Sequence, residues 1–131
     1  MAAQGRRILV VDDSPELCDF LQMLLEGEGY AVQTSGSANA ARQALTAWKP
    51  DAVITDVCLP DAPPFALLDA LNGSNGAARV PVLLCTGAVN EVRAAAERLR
   101  QDKIPVLIKP FELEDLLRAV GHLLEGRSVV S

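Results

Sequence analysis

Four polar residues sit where short apolar runs end. Asp12 and Asp13 follow Ile8, Leu9, Val10 and Val11; Asp56 follows Ala52, Val53, Ile54 and Thr55; Lys109 follows Val106, Leu107 and Ile108. Apolar runs of this length read as buried parallel strands, and in an open α/β sheet the ligand site lies just beyond the carboxyl ends of the strands. Three carboxylates in one crevice repel one another, and the physical remedies are a proton or a hard cation. Oxygen donors favour Mg²⁺, which keeps several waters and takes one or two carboxylates together with phosphate oxygens. Lys109 adds a point charge suited to a phosphoryl group and Thr86 a hydroxyl donor, so the set is equipped for phosphoryl transfer to a carboxylate.

The elements that must hold these residues follow from periodicity. After the first strand, Ser14 and Pro15 supply an N-cap and a proline at the first helical position, and Leu17, Phe20, Leu21, Leu24 and Leu25 repeat at helical spacing until Gly27 or Gly29. A second strand is expected over 31–35, an alanine-rich helix over 38–48 closed by Pro50, and a third strand over 52–56. A proline-rich loop over 59–64 leads to a short helix over 65–71 and an exposed turn over 72–76. Strands over 80–85 and 105–108 flank a single helix over 90–101 with a thin apolar stripe of Val92, Ala96 and Leu99. The last helix, 112–124, carries Leu113, Leu116, Leu117, Val120, Leu123 and Leu124. Five strands alternating with five helices imply a parallel sheet wound on both faces, because parallel strands need right-handed crossovers.

Bulk properties narrow the class of function. The 131 residues suit one domain with its own core. Half of them are apolar and 22% are charged, with 12 Lys and Arg against 17 Asp and Glu, a net charge of −5. That balance argues against direct nucleic-acid binding, which needs a basic face. Three cysteines, Cys18, Cys58 and Cys85, without metal-ligand spacing suggest free thiols in a reduced cytoplasm. Asp12 and Asp13 interrupt the first apolar stretch after four residues, too soon for a signal peptide or membrane span. His122, near the end of the last helix, reads as a partly exposed residue favourable to the helix terminus, and Trp48 as a contact between the second helix and the sheet.

These motifs together resemble the receiver domain of two-component response regulators. The acidic pair precedes Ser14, Asp56 precedes Val57, Cys58, Leu59 and Pro60, Thr86 precedes Gly87, and Lys109 precedes Pro110 and Phe111, all in order and over residues 7 to 124. The resemblance implies a flavodoxin-like fold with strand order 2-1-3-4-5. It implies Asp56 as phosphoacceptor, Asp12, Asp13, Asp56 and the Cys58 backbone carbonyl as holders of Mg²⁺, Thr86 and Lys109 as phosphoryl-binding and switch residues, and a cis Lys109-Pro110 peptide. The implied phosphate source is a histidine kinase or a histidine phosphotransfer protein, docking at the start of the first helix around Ser14, Pro15, Cys18 and Pro110. The product would signal to a downstream protein target as a monomer or weak homodimer, without nucleic acid or membrane contact and without acting as an enzyme. On this reading 1–6 is an N-terminal extension, 7–124 the receiver, and 125–131 a tail; the chain is then a stand-alone receiver or a piece of a longer regulator or hybrid kinase.

Three departures from the family pattern carry consequences. The position three before the lysine, usually Tyr or Phe, is Val106, too small for an aromatic in/out switch. Where the family commonly has a glycine four residues beyond the proline, this chain has Pro64 after Pro63; proline cannot take positive φ, so the loop must follow another path and the third helix should start abruptly. The two positions that influence dephosphorylation are Cys58 and Ala88, neither able to orient an attacking water. Two other readings stand beside the first: a phosphorylation-independent interaction domain, made plausible by Val106, and an aspartate-nucleophile phosphohydrolase of the haloacid dehalogenase type, which would want a second carboxylate where Cys58 stands.

Overall fold

A computed structural model of the chain describes residues 5–72 and 80–128. Five parallel strands, β1 (Arg7–Val11), β2 (Ala31–Ser35), β3 (Ala52–Thr55), β4 (Val82–Thr86) and β5 (Val106–Ile108), form one sheet in the order β2-β1-β3-β4-β5. The intervening helices are α1 (Pro15–Gly27), α2 (Ala38–Trp48), α3 (Ala66–Asn72), α4 (Val89–Ala94), α5 (Ala96–Gln101) and α6 (Leu113–Ser128).

Alternation along the strands divides the core in two. Ile8, Val10, Ile54, Leu83 and Cys85 face Leu21 and Leu25 of α1 and Leu116, Val120 and Leu124 of α6. Leu9, Val11, Val53, Val82 and Leu84 face the other way, onto Ala38 and Ala41 of α2, Leu67, Leu68 and Leu71 of α3 and Leu99 of α5. Burying each large aliphatic side chain contributes about 1.5–3 kcal/mol relative to exposure. Both faces of every central strand are thereby covered, which is why the strands read as continuous apolar runs.

Local signals fix the ends of the first two helices. Ser14 accepts a hydrogen bond from the Leu17 N–H at 3.3 Å, and Ser37 accepts one from Ala40 at 3.1 Å. Gly29, at φ 100°, turns the chain from α1 towards β2 in a conformation that other residues rarely adopt. Trp48 packs against the α2 face of the core, with the Arg7 guanidinium over its ring.

The expectation of five helices is corrected to six among the described residues. The helix expected over 90–101 is divided at Ala95, whose backbone (φ −101°, ψ 12°) leaves helical geometry and whose N–H is shared between the Glu91 and Val92 carbonyls. The thin stripe explains the break: α4 buries no residue and α5 buries Leu99, so packing does not hold the two turns as one rod. Leu113 and Phe20, placed on apolar stripes by spacing, are in fact exposed. The last helix continues to Ser128, and the exposed turn expected over 72–76 lies almost wholly outside the described residues.

The diprolyl loop resolves its own constraint. The positive φ that Pro64 cannot supply falls on the next residue, Phe65 (φ 67°), and α3 begins immediately afterwards at Ala66. Phe65 N–H donates to the Val57 carbonyl at 3.2 Å, which ties the end of the loop back to its start.

Candidate functional site

Register alone brings the chemistry together. Val11 of β1 pairs with Ser35 of β2 and with Thr55 of β3, so Asp12 and Asp56 each stand one residue beyond a paired strand end. Thr86 pairs with Ile108 across β4 and β5, leaving Lys109 one residue further on. Backbone bonds lock these ends: Asp12 N–H to the Ser35 carbonyl, Asp56 N–H to the Val11 carbonyl, and Lys109 N–H to the Thr86 carbonyl, at 2.9 to 3.0 Å.

The side chains converge. Lys109 Nζ donates to Asp12 Oδ2 at 2.7 Å and to Asp56 Oδ2 at 3.0 Å, and Thr86 Oγ1 donates to Asp56 Oδ1 at 2.5 Å. The Cys58 N–H adds a bond to Asp56 Oδ1 at 3.1 Å, while Asp12 Oδ1 accepts the Ser14 N–H at 3.0 Å. Asp12 is 4% exposed and Thr86 fully buried, whereas Asp13 faces solvent. The Lys109-Pro110 peptide is cis. Val106 packs against the α2 face of the core, Cys58 is exposed, and Ala88 precedes α4 half-buried.

Electrostatics follow from these contacts. Burial pushes the Asp56 carboxyl up, but hydrogen bonds from Thr86, Lys109 and the Cys58 N–H, with the nearby ammonium charge, outweigh it and hold the carboxyl below the ordinary range. Burial likewise disfavours the Lys109 ammonium, yet its bonds to Asp12 and Asp56 raise it above the usual lysine value. Cys85 is pushed up to about 12 by burial, an inert thiol in the core.

The signs give a pH prediction for the metal-free protein. A depressed carboxyl stabilises fully above its unfolded value of about 3.9 and loses that contribution as pH falls through the lower folded value. A raised ammonium stabilises fully below about 10.4 and loses its share as pH rises through the folded value. Thermal midpoints are therefore expected to be level between roughly pH 5 and 9.5 and to fall on both sides. Asp56→Asn should soften the acid limb; a limb unchanged in that variant would contradict the assignment.

The donor set fits a hard divalent cation. Asp12, Asp13 and Asp56 carry three negative charges against one from Lys109, and every candidate donor is oxygen. Among the described residues no three carboxylate, thiol or imidazole groups form a closed cage. Mg²⁺ asks for no such cage, since it commonly keeps several waters beside one or two carboxylates.

Spacing left some contributors unseen. Asp61 accepts the Ala38 and Asn39 N–H groups at 2.8 and 2.9 Å, clipping the loop that follows Asp56 to the start of α2. Those two bonds hold its carboxyl below the ordinary range. Arg98 of α5 pairs with Asp69 of α3 and lies over the Phe65 ring, joining the same loop to the α4–α5 segment. Both contacts span more than twenty residues, so no local motif announces them.

A doubly wound α/β domain with an acidic crevice and a lysine at its strand ends defines a class, and comparison with known proteins names it. Residues 8–121 match the response regulator receiver domain. The chain is 33% identical over 124 residues to the probable transcriptional regulatory protein TcrX of Mycobacterium tuberculosis, covering 95% of this chain and 52% of that protein. It is 38% identical over 126 residues to the transcriptional regulatory protein ZraR of Escherichia coli O157:H7, covering 94% and 27% respectively. The chain thus spans about half or less of the length of these relatives. Among solved structures, the receiver domain of a signal transduction histidine kinase from Syntrophus aciditrophicus superposes with a TM-score of 0.81 at 30% identity, covering 93% of this chain and 92% of that one. A response regulator receiver domain protein from Clostridium thermocellum gives 0.83 at 23% identity, covering 96% and 99%, a likeness of fold. The chain belongs to the receiver domain family of response regulators, the signalling modules of two-component systems.

Proposed function

We propose that Asp56 accepts a phosphoryl group from a phosphohistidine of a histidine kinase or histidine phosphotransfer protein. The observation that carries this reading is the meeting of Lys109 Nζ with both Asp12 and Asp56 while Thr86 donates to the same Asp56 carboxylate. One Asp56 oxygen attacks phosphorus, the P–N bond to imidazole breaks, and the imidazole leaves with the electron pair. Mg²⁺, held by Asp12, Asp13, Asp56 and the Cys58 carbonyl, would neutralise charge on the transferring phosphoryl oxygens. Lys109 then exchanges a carboxylate oxygen for a phosphoryl oxygen, and Thr86 turns its hydroxyl in the same direction. Its movement frees the Ala88 N–H, which donates to Thr86 Oγ1 at 3.1 Å, so the start of α4 responds to the new charge.

With Val106 where the family usually has an aromatic residue, the readout passes through this loop and not through an aromatic rotamer. We read the domain, residues 7–124, as a cytoplasmic phosphoacceptor acting on a protein target, not as a turnover enzyme; among the described residues no helix is long and apolar enough to cross a membrane. Incubation with acetyl phosphate and Mg²⁺ should add the mass of one phosphoryl group, and chelation should prevent it. A protein that gains no mass under these conditions, or that turns over a phosphomonoester, would overturn the reading.

The phospho-state should be long-lived. Cys58 offers a thiol whose pKa burial, with Glu91 and Asp56, pushes up, and Ala88 offers a methyl group, so neither aligns a water for attack. A double variant, Cys58→Asn with Ala88→Glu, places polar groups at both positions and should shorten the lifetime by roughly tenfold or more. Equal lifetimes would refute the argument.

A further inference from the structure

The loop between β3 and α3 has few hydrogen bonds with which to hold itself in place. Residues 57–65 include Pro60, Pro63 and Pro64, which have no N–H to donate, and Asp61 is their one charged side chain. Ala62 N–H reaches the Leu59 carbonyl at 3.4 Å and Phe65 N–H the Val57 carbonyl at 3.2 Å, both of them bonds of the loop to itself. Its hydrogen-bonded tie to another element runs through Asp61, whose Oδ1 accepts from Ala38 at 2.8 Å and whose Oδ2 accepts from Asn39 at 2.9 Å. The anchor is rigid. Ala38 and Ala41 are fully buried, and the first N–H groups of α2 are divided between two caps: Ala38 and Asn39 go to Asp61, Ala40 to Ser37 Oγ and Ala41 to the Ser37 carbonyl. The local cap thus leaves two donors at the positive end of the helix, where a carboxylate is favourable, and the loop supplies it.

This tie bears on the metal. Asp12 and Asp56 are held by backbone bonds to the sheet whatever the loop does, whereas the Cys58 carbonyl is the proposed Mg²⁺ donor that the loop itself must present. Cys58 stands three residues before Asp61, and Pro60 between them has a fixed φ, so a constraint at Asp61 reaches Cys58 across a short, stiff stretch. We propose that Asp61 is a positioning residue for the divalent cation: by clamping the β3–α3 loop to the first turn of α2, its carboxylate keeps the Cys58 carbonyl where it can meet the metal. The identity of the metal site rests on the proposed function; the clamp does not. Without the clamp the loop occupies its competent arrangement for a smaller fraction of the time, and the apparent affinity for the ion falls by that fraction. Transfer itself, which depends on Asp56, Thr86 and Lys109, is left intact once the ion is bound.

The full chain is titrated with Mg²⁺ at constant ionic strength, without any phosphate donor, and followed by amide NMR; thermal midpoints are measured in parallel with metal chelated. In Asp61→Ala the Mg²⁺ dissociation constant should rise about fivefold, the effect of losing roughly one net hydrogen bond. In Asp61→Asn, whose single amide oxygen can serve one of the two N–H groups, the rise should be about twofold. Ser37→Ala is the control: it uncaps the same helix and should lower the midpoint as Asp61→Ala does, yet leave the Mg²⁺ constant unchanged. Labelling by acetyl phosphate should divide in the same way, the Mg²⁺ concentration for half-maximal rate rising in Asp61→Ala while the rate at saturating Mg²⁺ stays at the wild-type level. No saturable Mg²⁺ binding in the wild type, an unchanged constant in Asp61→Ala, or an equal rise in Ser37→Ala would overturn the inference. A wild-type protein that binds Mg²⁺ but takes up no phosphate would count against the phosphoacceptor reading alone.

Discussion

Asp56→Asn is expected to take up no phosphate from acetyl phosphate or from a phosphohistidine donor, with mass measurement showing only the unmodified protein. The amide cannot act as the anionic nucleophile, and no other carboxylate occupies its geometry. Asp12 is tied through both oxygens to Lys109 and the Ser14 N–H, and Asp13 faces solvent, outside the Thr86 and Lys109 contacts. The fold should survive, because an asparagine oxygen can still accept from Thr86 and the Cys58 N–H, the two donors that meet Oδ1. Circular dichroism identical to wild type, together with lost labelling, separates the chemistry from the scaffold. Phosphate retained in this variant would move the acceptor elsewhere.

Much of this site was legible because its parts stand at strand ends, where an apolar run stops and a polar residue begins. A period of two and a parallel register then place Asp12, Asp56, Thr86 and Lys109 at one edge without further information. Strand β2 and helix α2 match their expected bounds, α2 because Pro50 stops an alanine-rich helix two residues earlier, at Trp48. The division of the helix over 90–101 was not legible. Nothing in Val92, Ala96 and Leu99 distinguishes a weakly anchored rod from two short turns; the difference lies in how little of that surface the sheet covers. The shift of positive φ from Pro64 to Phe65 was half legible: proline ruled out one residue but could not say which neighbour would take its place. Asp61 was invisible for a further reason. It acquires its role from the start of α2, brought alongside by the fold, and spacing in the chain carries no trace of that neighbour.

Lys109→Met should show two separable effects. Removing the ammonium leaves Asp12 and Asp56 facing each other without their shared cation, and breaking a buried pair in this way costs several kcal/mol when water is excluded. The crevice is open enough to leave the Lys109 side chain 28% exposed, so the expected destabilisation is smaller, roughly 1–3 kcal/mol in the absence of divalent metal. Added Mg²⁺ should recover part of that loss, since it offsets the same negative charge. The rate of phosphoryl uptake should not recover with it. Charge that develops on the transferring oxygens loses a positioned donor, and removal of such a donor typically slows reaction by about 10²–10³-fold. Lys109→Arg restores the charge but not the compact ammonium, so stability should return further than the rate does. Chemical denaturation with and without Mg²⁺, set against labelling kinetics at saturating metal, reads the two effects independently. If Lys109→Met labels at the wild-type rate, the ammonium only bridges the resting carboxylates and takes no part in transfer.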